Sequence, residues 1–182
     1  MQSGPLYLSF IRPVNYDNVN TLLTKINQAV DKGYQEIILM MSSAGGQVIP
    51  GFAAYNQLQM LPIRLTTYNI GSVSSIAAIM FLAGTVRLAV PNATFQFHSA
   101  VLELGQGGET AKYQLVQYLS ELAALEERLK DIIIARTNLQ PAEVDLLMAE
   151  GKTRDAQFAK NTNIVQYIAS YTIPGDAPLI QV

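Results

Sequence analysis

Three hydroxyls, Ser72, Ser74 and Ser75, sit together in Gly71-Ser72-Val73-Ser74-Ser75-Ile76-Ala77-Ala78, and the chain holds a single histidine, His98. A hydroxyl and an imidazole are enough for nucleophilic acyl transfer, the imidazole taking the proton that the attacking oxygen loses. A strand-like run, residues 66–70, precedes the serines and an unbroken apolar run, residues 76–83, follows them. The pattern predicts a strand that turns sharply into a buried helix at the serines. A serine in that first turn meets unpaired amides and the positive end of the helix dipole, which favour a developing oxyanion. The competing reading is helix capping by Ser72 or Ser74, which needs no chemistry. His98 follows an alternating strand, Thr94-Phe95-Gln96-Phe97, and could equally be a satisfied histidine at the end of a core strand. Spacing by itself does not bring a serine and His98 into contact.

A second motif, Ser42-Ser43-Ala44-Gly45-Gly46-Gln47-Val48, follows a continuous apolar run at 36–41. Paired glycines there are either a tight strand-to-helix turn or an oxyanion hole, since glycine lets a backbone amide face a substrate without crowding it. A phosphate loop is a weaker reading still, because the Gly-Lys-Ser or Gly-Lys-Thr ending is absent.

To position these motifs the chain needs alternating strands and helices. Residues 6–10 read as a strand, and 18–32 as an amphipathic helix with Val19, Leu22, Leu23, Ile26 and Val30 on one face, closed by Gly33. The run at 36–41 has the character of a strand buried on both sides by helices. A helix over about 50–60 and a strand near 65–69 complete a βαβα order, which argues for an α/β fold with a largely parallel sheet and its site at the strand ends. Beyond the glycine-rich stretch 102–108, the leucines Leu115, Leu119, Leu122 and Leu129 with Ile133 recur at helical intervals across 109–136. Such a helix is about 40 Å long, more than a small domain needs across its core. It is expected to project and to bury its apolar stripe against a second copy.

Composition bounds the function. The chain has 182 residues, is 49% hydrophobic, and carries 12 Lys and Arg against 14 Asp and Glu. That suits one domain, residues 1–182, with a real core. Near-balanced charge offers no basic stripe for nucleic acid. The eight apolar residues at 76–83 fall short of the ~20 of a membrane span, and no signal-like segment opens the chain, so a soluble cytoplasmic protein is expected. With no cysteine there are no disulfides, thiolate metal sites or cysteine nucleophile. No metal and no cofactor is expected.

Ser43-Ala44-Gly45-Gly46-Gln47-Val48, Gly51-Phe52-Ala53-Ala54-Tyr55, Gly71 with Ser75, Ala83-Gly84, Val90-Pro91-Asn92-Ala93 and Phe97-His98 occur in an order and spacing that resembles the ClpP family of serine peptidases. The resemblance covers about residues 6–168. It implies a crotonase-like fold of stacked ββα units, a strand-and-helix handle at about 101–136, and homo-oligomeric rings stacked through those handles. It also implies that Ser75 is the nucleophile, His98 the general base, and Gly46 and Ile76 the oxyanion-hole amides. Peptide or unfolded polypeptide would lie along residues 99–106.

The third member of the triad departs from the family pattern. With Ala156-Gln157-Phe158-Ala159 aligned to the family's helix, the acid position falls at Gly151, beside Glu150, and Asp155 takes the place of a helix cap. A local shift that matches Thr153-Arg154-Asp155 to the family's Arg-Asp pair makes Asp155 the catalytic acid instead. The plainer reading has Gly151 as a helix C-cap and Asp155 as an N-cap. Ser99-Ala100 replaces the family's Gln-Pro pair after the histidine. The family's axial segment, which engages an unfoldase ring, is not recognisable before residue 6, so no Clp-type ATPase partner is expected. A serine endopeptidase is the leading expectation; a catalytically degenerate ring subunit is the second, and a crotonase-fold acyl-CoA enzyme the third.

Overall fold

The computed structural model describes residues 4–101 and 112–182. Its centre is an eight-stranded mixed sheet, in which β3 (Arg64–Ser74) pairs in parallel with β2 (Glu36–Ser43), and β2 with β1 (Leu6–Phe10). On the other side β3 pairs in parallel with both β4 (Val86–Ala89) and β5 (Thr94–Gln96). Only β6 (Thr153–Asp155) runs antiparallel, against β5, while β7 (Tyr167–Ile168) and β8 (Leu179–Gln181) extend β4 and β1 in parallel.

Helix α1 (Tyr16–Asp31) starts two residues before the periodicity suggests, because the Asn15 side chain accepts from the Asn18 amide at 2.8 Å and caps it. Its buried face is Val19, Leu22, Leu23, Ile26 and Ala29; Val30 lies at the margin. Helices α2 (Val48–Gln59) and α3 (Ile76–Phe81) follow β2 and β3 directly, and every residue of α3 is buried. Alternating residues Leu8, Phe10, Ile37, Leu39 and Met41 point into this helical layer.

The other face of the sheet corrects the sequence expectation of helices on both sides. Tyr7, Ile38, Met40 and Tyr68 form a separate buried cluster, packed by Ile173 and Ala177 of the segment between β7 and β8. Chain without regular structure covers this face. It is tied down by Tyr7 Oη donating to Tyr171 Oη at 3.0 Å and Tyr68 Oη donating to the Ala169 carbonyl at 2.8 Å. Burial, followed by that hydrogen bond, pushes the Tyr7 phenol up to about 12.

Helix α4 (Lys112–Arg136) buries only Leu129 and Ile133, both in its C-terminal half. Tyr113, Leu115, Val116 and Leu119 are exposed near its start, so the apolar stripe continues where this chain supplies nothing to cover it among the described residues. The strand expected before this helix lies outside the described residues. Helix α5 (Pro141–Glu150) opens with a Gln140/Glu143 capping box and Pro141, and closes on Gly151 in the left-handed conformation at φ 56°. Helix α6 (Ala156–Asn161) is capped by Asp155.

Arg87 is buried at 3% exposure without a carboxylate partner among the described residues. Its guanidinium donates to the carbonyls of Ile164, Arg136 and Asn163, each at 2.8 Å, and of Gly84 at 3.2 Å. One side chain thus joins the ends of α3, α4 and α6. Arg87→Met is expected to lower unfolding free energy by about 3 kcal/mol or more, since several carbonyls lose their donor at once. Urea denaturation measures this, and Arg87→Lys should recover only part because it lacks the fork of donors.

Candidate active site

Ser75 stands between β3 and α3 with φ 57° and ψ −134°, a backbone region that costs about 1–3 kcal/mol for a residue with a side chain. Two contacts hold it there. Its amide donates to the Gln96 carbonyl at 2.9 Å, and Ala78 donates back to the Ser75 carbonyl at 3.0 Å. Its hydroxyl makes no capping bond to α3, which sets it apart from an ordinary N-cap serine. Ser72 and Ser74 belong to β3, with their hydroxyls 3.4 Å apart. Neither caps a helix.

The parallel pairing of β3 with β5 matches Ser72 to Thr94 and Ser74 to Gln96. Ser75 and His98 therefore leave neighbouring strands just past their paired ends, and they line one cavity of about 100 Å3. Gly46 and Ile76 line it too, and its depth is apolar: Ile79, Phe97, Leu129, Ile133 and Met148. Sheet and α4 thus both contribute walls.

The glycine pair approaches Ser75 from the side. Val14 donates to the Gly45 carbonyl and accepts from the Gln47 amide, both at 2.8 Å, a bridge in which the Gly46 amide takes no part. Gly46 has φ 147°, and a Cβ there would lie 2.3 Å from the Val14 carbonyl oxygen. A Cβ on Gly45 would lie 2.7 Å from the Ser75 Cβ. No side chain fits at either position. The Ile76 amide, first in α3, has no carbonyl one turn back to bond. Two amides beside one hydroxyl can together hold an oxyanion.

His98 Nδ1 lies 2.7 Å from the carbonyl oxygen of Ser99. A carbonyl only accepts, so Nδ1 carries a hydrogen, and in the neutral ring Nε2 is then the nitrogen with the lone pair. Asp155 is not brought to the ring. In the β5–β6 register it pairs with Thr94, four residues or about 13 Å of strand from His98. Its carboxylate accepts from the Phe158 amide at 2.7 Å as the cap of α6. Glu150 is turned outward, bonded to Lys152 at 2.9 Å and Arg154 at 2.5 Å, and its carboxyl is held below the usual range chiefly by the Lys152 hydrogen bond. The residue beside His98 is Gly151, where a Cβ would sit 3.5 Å from the His98 Cβ. Gln96 Nε2 donates to the Gly151 carbonyl at 2.7 Å and ties the end of α5 to β5.

Sequence reasoning missed Ser99, Gly45 and Gln96. Gln96 touches Ser75, and Ser99 touches His98, through main-chain oxygens, which no side-chain pattern reveals. Gly45 left a signal in the glycine pair, as the partner whose missing side chain makes room for Ser75.

Among the described residues no helix is long and apolar enough to cross a membrane. The Clp protease family model matches residues 8–172. Three curated proteins named ATP-dependent Clp protease proteolytic subunit are similar to this chain. The one from Helianthus annuus is 31% identical over 143 residues, 78% of this chain and 71% of that protein. The one from Lactuca sativa is 30% identical over 111 residues, 60% of this chain and 55% of that protein. The one from Cuscuta reflexa is 28% identical over 135 residues, 73% of this chain and 63% of that protein.

Proposed function

This chain belongs to the Clp protease family, and on that footing we propose that it is a serine endopeptidase whose reaction is carried by Ser75 and His98. The observation that carries the reading is the strained Ser75, its hydroxyl unused by the helix it precedes, on the same cavity as a histidine whose Nδ1 is occupied by a main-chain carbonyl. Ser75 Oγ attacks the scissile carbonyl carbon while His98 Nε2 takes its proton. The carbonyl oxygen becomes an oxyanion held by the Gly46 and Ile76 amides. His98 then returns the proton to the leaving amine, and water repeats the steps to free the acyl group. The substrate is a peptide or unfolded polypeptide that places an aliphatic or aromatic side chain among Ile79, Phe97, Leu129, Ile133 and Met148. The chain acts as one domain, with residues 101–136 as a handle. Rings stack by burying Tyr113, Leu115, Val116 and Leu119.

A second reading, a ring subunit with little turnover of its own, is favoured by the Ser99 carbonyl standing at Nδ1 where a carboxylate would strengthen the base. A fluorophosphonate probe separates the two. The peptidase reading expects covalent labelling at Ser75, located by peptide mass spectrometry, and suppressed by a peptide with an apolar residue before the scissile bond. An assembled protein that resists the probe would sink it.

A further inference from the structure

A cleft of about 600 Å3 opens at the opposite end of β3, roughly 30 Å of strand from Ser75. Thr85, Arg87, Arg136, Asn138, Asn163 and Gln166 line its polar side. Two guanidiniums face one space, and no carboxylate lines it among the described residues.

The donors are unequally used. Arg87 directs four N–H groups to main-chain carbonyls. Arg136 uses only two, Nε to Leu82 at 3.0 Å and Nη2 to Gly84 at 2.8 Å. Of the five N–H groups of a guanidinium, three on Arg136 therefore lack an internal acceptor among the described residues. The ends of α3, α4 and α6 supply partial negative charge, about half a unit at most for each helix and less for short ones. That is less than the two full positive charges. Burial, and secondarily the Arg136 charge, lowers the Arg87 pKa to about 10.

We propose that this cleft binds a phosphate-type dianion through the free donors of Arg136, with the fixed charge of Arg87 behind it and the Asn138 and Asn163 amides at its mouth. Two uncompensated cations match a doubly charged oxyanion, and planar guanidinium donors suit its paired oxygens. The space is large enough for a small phosphomonoester as well as the bare ion.

Isothermal titration of the full chain with inorganic phosphate and, in parallel, glycerol phosphate tests the site against chloride at matched ionic strength. Saturable binding of either is expected, with a thermal midpoint that rises with ligand concentration. Arg136→Gln should abolish it. Because Arg136 also serves the carbonyls of Leu82 and Gly84, Asn138→Asp is the second variant. The amide of residue 138 donates to the Thr162 carbonyl at 2.9 Å, a main-chain bond that survives the change. A carboxylate at the mouth should weaken phosphate binding about tenfold or more. The proposal is overturned if neither ligand binds, or if Asn138→Asp binds as the wild type does. It is also overturned if Asn138→Asp breaks up an oligomer that phosphate leaves untouched, since a carboxylate from a second copy would then be the occupant.

Discussion

Ser75→Ala is expected to reduce peptide hydrolysis by about a hundredfold, to the floor set by the oxyanion amides and binding, and to abolish fluorophosphonate labelling. The magnitude follows from non-additivity. In a complete serine triad, loss of the nucleophile costs about six orders of magnitude and loss of the acid alone between four and five. Where a carbonyl stands in for the acid, much of that loss has already been taken, and the nucleophile can forfeit only the remainder. Steady-state hydrolysis of a fluorogenic peptide by both forms gives the ratio. An unchanged rate in Ser75→Ala would remove Ser75 from the chemistry. The backbone strain at position 75 persists in alanine, so folding should be little altered and a lost rate would be chemical.

Gly151→Asp is expected to raise kcat by tenfold at least, with a ceiling of about four orders of magnitude. Position 151 is already left-handed at φ 56°, a conformation that aspartate and asparagine tolerate better than other residues with a side chain. A Cβ there lies 3.5 Å from the His98 Cβ with nothing closer, so the new side chain starts next to His98, and the prediction requires its carboxylate to reach Nδ1. It would replace a neutral acceptor, the Ser99 carbonyl, by a charged one that stabilises the imidazolium formed when Ser75 gives up its proton. Gly151→Asn carries the same backbone cost, about 1 kcal/mol, without the charge, and should show no gain. Equal rates for the aspartate and asparagine forms would mean that the ring is not waiting for an acid. In the Gly151→Asp background the added loss from Ser75→Ala should grow by the same factor, which the double-mutant cycle reads directly.

Much of the frame was legible from residue order. The α/β class follows from the apolar period of α1 and the long α4 together with the unbroken apolar runs of β2 and α3, each of them long enough to be read. The Gly151 C-cap and Asp155 N-cap were legible from residue type. The two-residue β7 and three-residue β8 were not, and with them the irregular cover of Tyr7, Ile38, Met40 and Tyr68 stayed hidden. Segments so short have no period to read. At the site, Ser75 and His98 could be named from their chemistry and the family resemblance, but their shared cavity depends on the β3–β5 register. The choice among Gly151, Glu150 and Asp155 turned on one residue of register, and an antiparallel pair of three residues decides which of them lies beside His98.

Arg87 has a consequence for behaviour in acid. Buried ion pairs come apart at low pH because their carboxylates protonate and abandon the cation. The partners of Arg87 are main-chain carbonyls, which do not titrate. Its depressed pKa, about 10, lies far above the acid range, and the burial strain eases only when pH rises past that value and the proton leaves. The carboxylates that are paired, Glu36, Glu127, Asp145 and Glu150, meet their cations at the surface, where each pair is worth little. The junction of α3, α4 and α6 is thus an acid-indifferent joint, and the helix ends around it should stay docked at a pH that dissolves a joint made of ion pairs.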